Sequence, residues 1–167
     1  MSDSGAVADE ILLARAFLSR VCEPGCIPLW SFVDSTGPLE AAEAIRRRRA
    51  PQAVMDAAEA RRASTDPHAD LEAAERTGIR LLCPESAQWP HFALAALHRL
   101  ASQRVAAYKA GDRSRRDSGE RVPPIALWVK GPGDLSAAAA RSVAIVGARA
   151  STAYGEHVTA DLSYGLA

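Results

Sequence analysis

Residues 143–155 read Val143-Ala144-Ile145-Val146-Gly147-Ala148-Arg149-Ala150-Ser151-Thr152-Ala153-Tyr154-Gly155. Four apolar residues rich in β-branched side chains predict a strand buried on both faces; Gly147 permits a sharp exit, and Ser151 or Thr152 can cap the helix that follows. The first-turn N–H groups of such a helix point at open space, where they and the positive end of the helix dipole favour an anion. Arg149 adds a planar guanidinium suited to bidentate contact with phosphate oxygens. This corner points to phosphate or nucleic-acid recognition, although an ordinary strand–turn–helix corner with a solvated Arg would carry the same residues.

The helix starting near Thr152 is expected to run past Leu162 and Leu166 with Val158 on its apolar side. A strand–helix pair of this kind normally returns to a parallel strand, and no such strand follows before Ala167. The expectation is a truncated chain with an incomplete sheet. An unpaired edge and an uncovered helix face then predict low solubility or self-association.

Composition sets wider bounds. The 167 residues are 48% hydrophobic but only 5% aromatic, so Leu, Val, Ile and Ala must supply most of the packing. Formal net charge is zero, which announces no global basic field. Residues 1–98 carry 10 basic and 14 acidic side chains, and residues 99–167 carry 10 basic and 6 acidic, so the corner lies in the positive part. No run of about 18 apolar residues could span a bilayer and the acidic start lacks a secretory signal, predicting a cytoplasmic protein without a membrane partner. Cys22, Cys26 and Cys83 are an odd number and predict partly buried thiols; Cys22 and Cys26 lack the second Cys/His pair that a zinc site needs, so no metal is expected.

The first third reads as helical. Val7, Ile11, Ala14, Leu18 and Val21 share one helix face, which Pro24-Gly25 ends. Asp34-Ser35-Thr36 ahead of Gly37-Pro38 signals a helix with Leu39, Ala42 and Ile45 inward, and Arg46 to Arg49 extend it as a solvated cap at the negative end of its dipole. Gln52 to Arg62 predicts another helix, and Thr65-Asp66-Pro67 opens one more that Gly78 stops. Strands are expected at Ile79–Cys83, Ile125–Val129 and Ser142–Val146, with a helix after Pro90 between the first two and a mobile polar loop over 109–121. His91 and His98 lack a nearby nucleophile and read as exposed or core-rim residues, and Trp89 and Trp128 read as packing residues. The expected fold is α/β: a small helical bundle at 1–77, then at 78–167 an incomplete parallel sheet with flanking helices.

Five segments occur in order: Arg15 to Val21, Gly78-Ile79, Trp89-Pro90, Leu127-Trp128-Val129-Lys130-Gly131, and Val143 to Gly155. Together they resemble the DNA-processing protein A (DprA/Smf) family, the last two blocks most specifically. The resemblance implies a helical N-terminal module followed by an extended Rossmann-like domain that binds single-stranded DNA. It also implies a role in recombination, with loading of the RecA recombinase during natural transformation (competence), homodimerisation of the full-length protein, and no enzymatic activity in that role. By residue match it places Gly147, Arg149, Ser151, Tyr154 and Gly155 in the DNA pocket, with Lys130 as a further candidate. The family's second glycine-rich segment, which completes the pocket, is not in this sequence.

Two other functions fit parts of the sequence. A nucleotide- or phosphoribose-processing enzyme on a related fold would need an acid/base pair near the turn, whereas Glu156 and Asp161 are spaced for a helix surface. An inactive remnant or small interaction module is the other. Catalytic residues and cofactors are not expected, since the glycine spacing matches neither a dinucleotide fingerprint nor a phosphate-binding P-loop.

Overall fold

The computed structural model describes residues 7–109, 122–147 and 150–166. Five short helices come first: α1 (Asp9–Val21), α2 (Ile27–Thr36), α3 (Pro38–Arg46), α4 (Gln52–Arg62) and α5 (Pro67–Arg76). Proline in the first turn of α2, α3 and α5 explains the crowding of starts, because there its missing N–H costs nothing and its φ is already helical. Between α2 and α3 the chain turns on one residue. Gly37, at φ 85°, donates its N–H to the Val33 carbonyl at 2.9 Å and accepts from the Ala41 N–H at 3.1 Å. At the start of α5, Asp66 accepts from the amides of His68 and Ala69 at 3.0 and 3.2 Å.

These helices close around one core. Phe17, Leu18 and Val21 of α1 meet Leu29 and Val33 of α2, Ile45 of α3 and Val54 of α4, with Ala14, Ala41, Ala42 and Ala58 where the helices approach. Sequence reading missed α2. Its Leu29/Val33 pair at i,i+4 and Pro28 in the first turn were visible signals, but the neighbouring Asp34-Ser35-Thr36 read as a helix start, whereas these residues are the last turn of α2.

The Arg46–Arg49 run ends α3 as a cap. Arg47 pairs with Glu43, Arg48 with Glu59, and the Arg46 guanidinium lies 4.5 Å from the Phe17 ring centroid. Arg48 sits at φ 57°, and the Arg48 and Arg49 amides donate to Ile45 and Ala44 at 3.1 and 2.7 Å, a Schellman ending with arginine where glycine is usual. A side chain in that backbone region costs roughly 1–2 kcal/mol, against at most about 1 kcal/mol from an exposed ion pair. Arg48→Gly is therefore expected to hold or raise the melting temperature. A fall equivalent to more than about 1 kcal/mol in a denaturant titration would contradict this.

Beyond α5 come β1 (Ile79–Leu82), α6 (His91–Lys109), β2 (Leu127–Lys130), α7 (Leu135–Ala140) and α8 (Ala153–Leu166). Among the described residues the fold is mostly helical with one small sheet. In that sheet β1 and β2 pair antiparallel, Ile79 opposite Lys130 and Leu82 opposite Leu127, and among the described residues the expected parallel pairing is not found. Apolar runs of four residues do not encode strand direction, and the connection through the 19-residue α6 allows either. Residues 142–147 do not form the expected third strand, and Val143, Ile145 and Val146 are 69%, 46% and 90% exposed. No neighbouring strand among the described residues offers them hydrogen bonds, and propensity alone does not hold an isolated strand. The helix α7, also missed, is started by Asp134, which accepts from the Ala137 amide at 2.8 Å. The expected loop at 109–121 falls almost wholly outside the described residues.

The helices and the sheet are joined by buried polar contacts. Arg15, 7% exposed, donates from Nε and Nη2 to the Glu85 carboxylate at 3.1 and 2.5 Å, and from Nη1 to the Ile125 carbonyl at 3.3 Å. Trp128 Nε1 donates to Ser19 Oγ at 3.3 Å, and that hydroxyl donates to the Ala16 carbonyl at 2.8 Å. Trp89 is buried, and His98 meets Trp30 edge-on with centroids 5.5 Å apart.

Candidate nucleic-acid interface

The corner is built around the start of α8. Thr152 precedes the helix, and its Oγ1 accepts from the Gly155 amide at 3.2 Å while its carbonyl accepts from the Glu156 amide at 3.0 Å. Of the two caps the sequence allowed, Thr152 is therefore the one used. Ser151 instead donates from Oγ to Glu156 Oε1 at 2.9 Å. Among the described residues no acceptor is bonded to the amides of Ala153 and Tyr154.

Gly147, Ser151 and Tyr154 are exposed, Tyr154 at 77%, and Gly155 is half-buried. A Cβ on Gly155 would meet Thr152 Oγ1 and Ser151 Cβ at 3.6 and 3.7 Å, ordinary contact distances. Arg149 lies outside the described residues. The helix itself is uncovered: Leu162 and Leu166, expected on an apolar face, are 52% and 58% exposed, and only Val158 and Gly155 are partly buried. Glu156 and the His157–Asp161 pair, with His157 Nε2 and Asp161 Oδ2 3.3 Å apart, lie on this exposed helix.

Lys130 ends β2 with its side chain exposed. Among the described residues no hydrogen bond or ion pair joins it to residues 147–155. The turn after Lys130 is held by a residue that sequence reading passed over. Arg80 of β1 donates to the carbonyls of Gly131 and Gly133, and to Gln88 Oε1 at 3.1 Å. The two glycine carbonyls are 51 and 53 residues away, so no local signal could have revealed the clamp.

Among the described residues no group of three or more His, Cys, Asp or Glu side chains could hold a metal, and no helix is long and apolar enough to cross a membrane. A cleft of about 300 Å³ lies elsewhere, between residues 18–30 and 122–126, and includes none of the corner residues.

Residues 114–167, which include the corner and β2, match the family model for DNA recombination-mediator protein A. The chain is thus similar to the DNA-processing protein A family. Two curated relatives, each provisionally named DNA processing protein DprA, come from Mycobacterium tuberculosis strains CDC 1551 and H37Rv. Each is 41% identical over 159 residues, which is 95% of this chain and 38% of the relative. The chain thus spans well under half the length of these relatives. No solved structure matches it significantly.

Proposed function

We propose that this chain supplies part of a single-stranded DNA site in a cytoplasmic recombination mediator that acts by binding rather than by catalysis. The observation that carries the proposal is the Thr152-capped start of α8, where exposed amides follow Gly147 within the stretch matched to the recombination-mediator family. A helix end of this form attracts a phosphate through its N–H groups and dipole, and such contacts orient a strand without reading its sequence. Arg149 would grip the same phosphate, Gly147 and Gly155 would let the strand approach, Ser151 would turn its hydroxyl from Glu156 to the phosphate, and Tyr154 would stack on a base. Lys130 would extend the positive edge. Residues 1–77 form the helical module in this scheme, and 78–167 contribute to the DNA-binding part. Residues 143–146 become a strand of a Rossmann-like parallel sheet once further chain supplies neighbours. Loading of RecA during DNA uptake, and dimerisation, belong to the longer protein.

Fluorescence anisotropy with labelled oligo-dT at several salt concentrations tests the binding site, on this chain and on one extended to the length of its relatives. Affinity is expected to fall with rising salt, and Arg149→Ala to cost about 1–3 kcal/mol. Salt-independent binding, or an Arg149→Ala variant that binds like the parent, would contradict the assignment.

A further inference from the structure

Cys22 and Cys26 stand at the two sides of one tight connection. Cys22 is the C-terminal cap of α1 and Cys26 the N-terminal cap of α2, with Glu23-Pro24-Gly25 between them. Both line the cleft of about 300 Å³ that opens between this connection and residues 122–126. Cys22 is 3% exposed and Cys26 is half-buried, so small solutes in the cleft meet Cys26 first.

We infer that Cys22 and Cys26 are a dithiol site which a hydroperoxide oxidises to an intramolecular disulfide, joining the end of α1 to the start of α2. The two sulfurs have separate roles. The neighbouring Cys26 side chain, followed by burial, pushes the Cys22 thiol well above its ordinary value, so Cys22 keeps its proton. Cys26, half-buried at the N-terminal cap position of the ten-residue α2, is the sulfur that the cleft exposes. The Cys26 thiolate attacks one peroxide oxygen; the O–O bond breaks, the alcohol or water departs, and Cys26 becomes a sulfenic acid. Cys22 then attacks that sulfur, its proton leaves with the hydroxide as water, and the S–S bond forms. The peroxide is reduced by two electrons and the dithiol is oxidised by two. Cys83 is a built-in comparison: it is fully buried, its sulfur lies 3.4 Å from Ser86 Oγ, and burial raises its thiol.

Trypsin releases both cysteines in one peptide, Val21–Arg46, and Cys83 in another, Leu81–Arg99. After hydrogen peroxide treatment of the folded chain and alkylation of remaining thiols, the first peptide is expected to be unalkylated and about two mass units lighter, and to revert with dithiothreitol. The Cys83 peptide stays reduced. In Cys22→Ala, Cys26 is expected to stop at the sulfenic acid and take up dimedone. In Cys26→Ser the two-unit loss disappears; serine is a good helix cap, so this variant keeps the fold. Disulfides between separate chains, oxidation of Cys83 ahead of the pair, or a two-unit loss found only after denaturation would each overturn the inference.

Discussion

Replacing Arg15 with alanine is expected to be among the most damaging single changes in the described part of the chain. Its guanidinium is buried and spends its donors on both oxygens of Glu85 and on the Ile125 carbonyl, which brings α1, the residues after β1 and the approach to β2 together. Removing one partner of a buried pair typically costs about 3–5 kcal/mol, largely because the other charge is left stranded. Here the Glu85 side chain is 29% exposed and can recover some hydration, so the low end, about 3 kcal/mol, is expected. That is a large share of the roughly 5–15 kcal/mol that holds a domain folded. A chemical denaturation series on Arg15→Ala, Glu85→Gln and the double variant checks it, with the two single losses adding to much more than the loss in the double. Additive effects would show that the pair does not couple the elements.

The same pair sets a pH dependence. Burial alone would raise the Glu85 carboxyl, but the hydrogen bond and charge of Arg15 outweigh it and hold the group below its ordinary value. A depressed carboxylate contributes stability above its unfolded-state value of about 4.3, and loses it as pH falls through the lower folded-state value. The stability gap between the parent and Glu85→Gln should therefore be full near neutrality and close in acid.

Phe17→Ala is the second large effect. Phe17 is 1% exposed at the centre of the helical core, and losses for buried Phe→Ala run about 3–5 kcal/mol, combining lost transfer energy with the cavity left behind. The Arg46 guanidinium over the ring adds a smaller part. Arg46→Ala alone is expected to cost about 0.5–1 kcal/mol, and next to nothing in the Phe17→Ala background. A Phe17→Ala loss below about 1.5 kcal/mol would mean that the core collapses around the gap far more readily than its packing implies.

Local chemistry explains what was legible in the sequence. The Asp66-Pro67 start of α5, the span of α4, the apolar face of α1 and a helix starting beside Thr152 each depend on residues within one or two turns, and each is found. Strand direction was not legible, because pairing of β1 with β2 depends on residues about 50 apart in the chain. The expected strand at 143–146 has the right side chains, yet strands exist only as pairs, and no partner is found among the described residues. The Arg80 clamp and the Arg15–Glu85 pair were invisible for the same reason. At the corner, the residue types foretold the cap. They held no information on where Lys130 would lie relative to them.

Mapping a photo-crosslinked oligo-dT by mass spectrometry, on a chain extended to the length of its relatives, tests the DNA corner most directly. The tryptic peptide that begins at Ala150 and carries Tyr154 is expected to hold the principal crosslink, with less adduct as salt is raised. Crosslinks confined to the helical residues 1–77, with residues 147–155 unmodified at every salt concentration, would contradict the account.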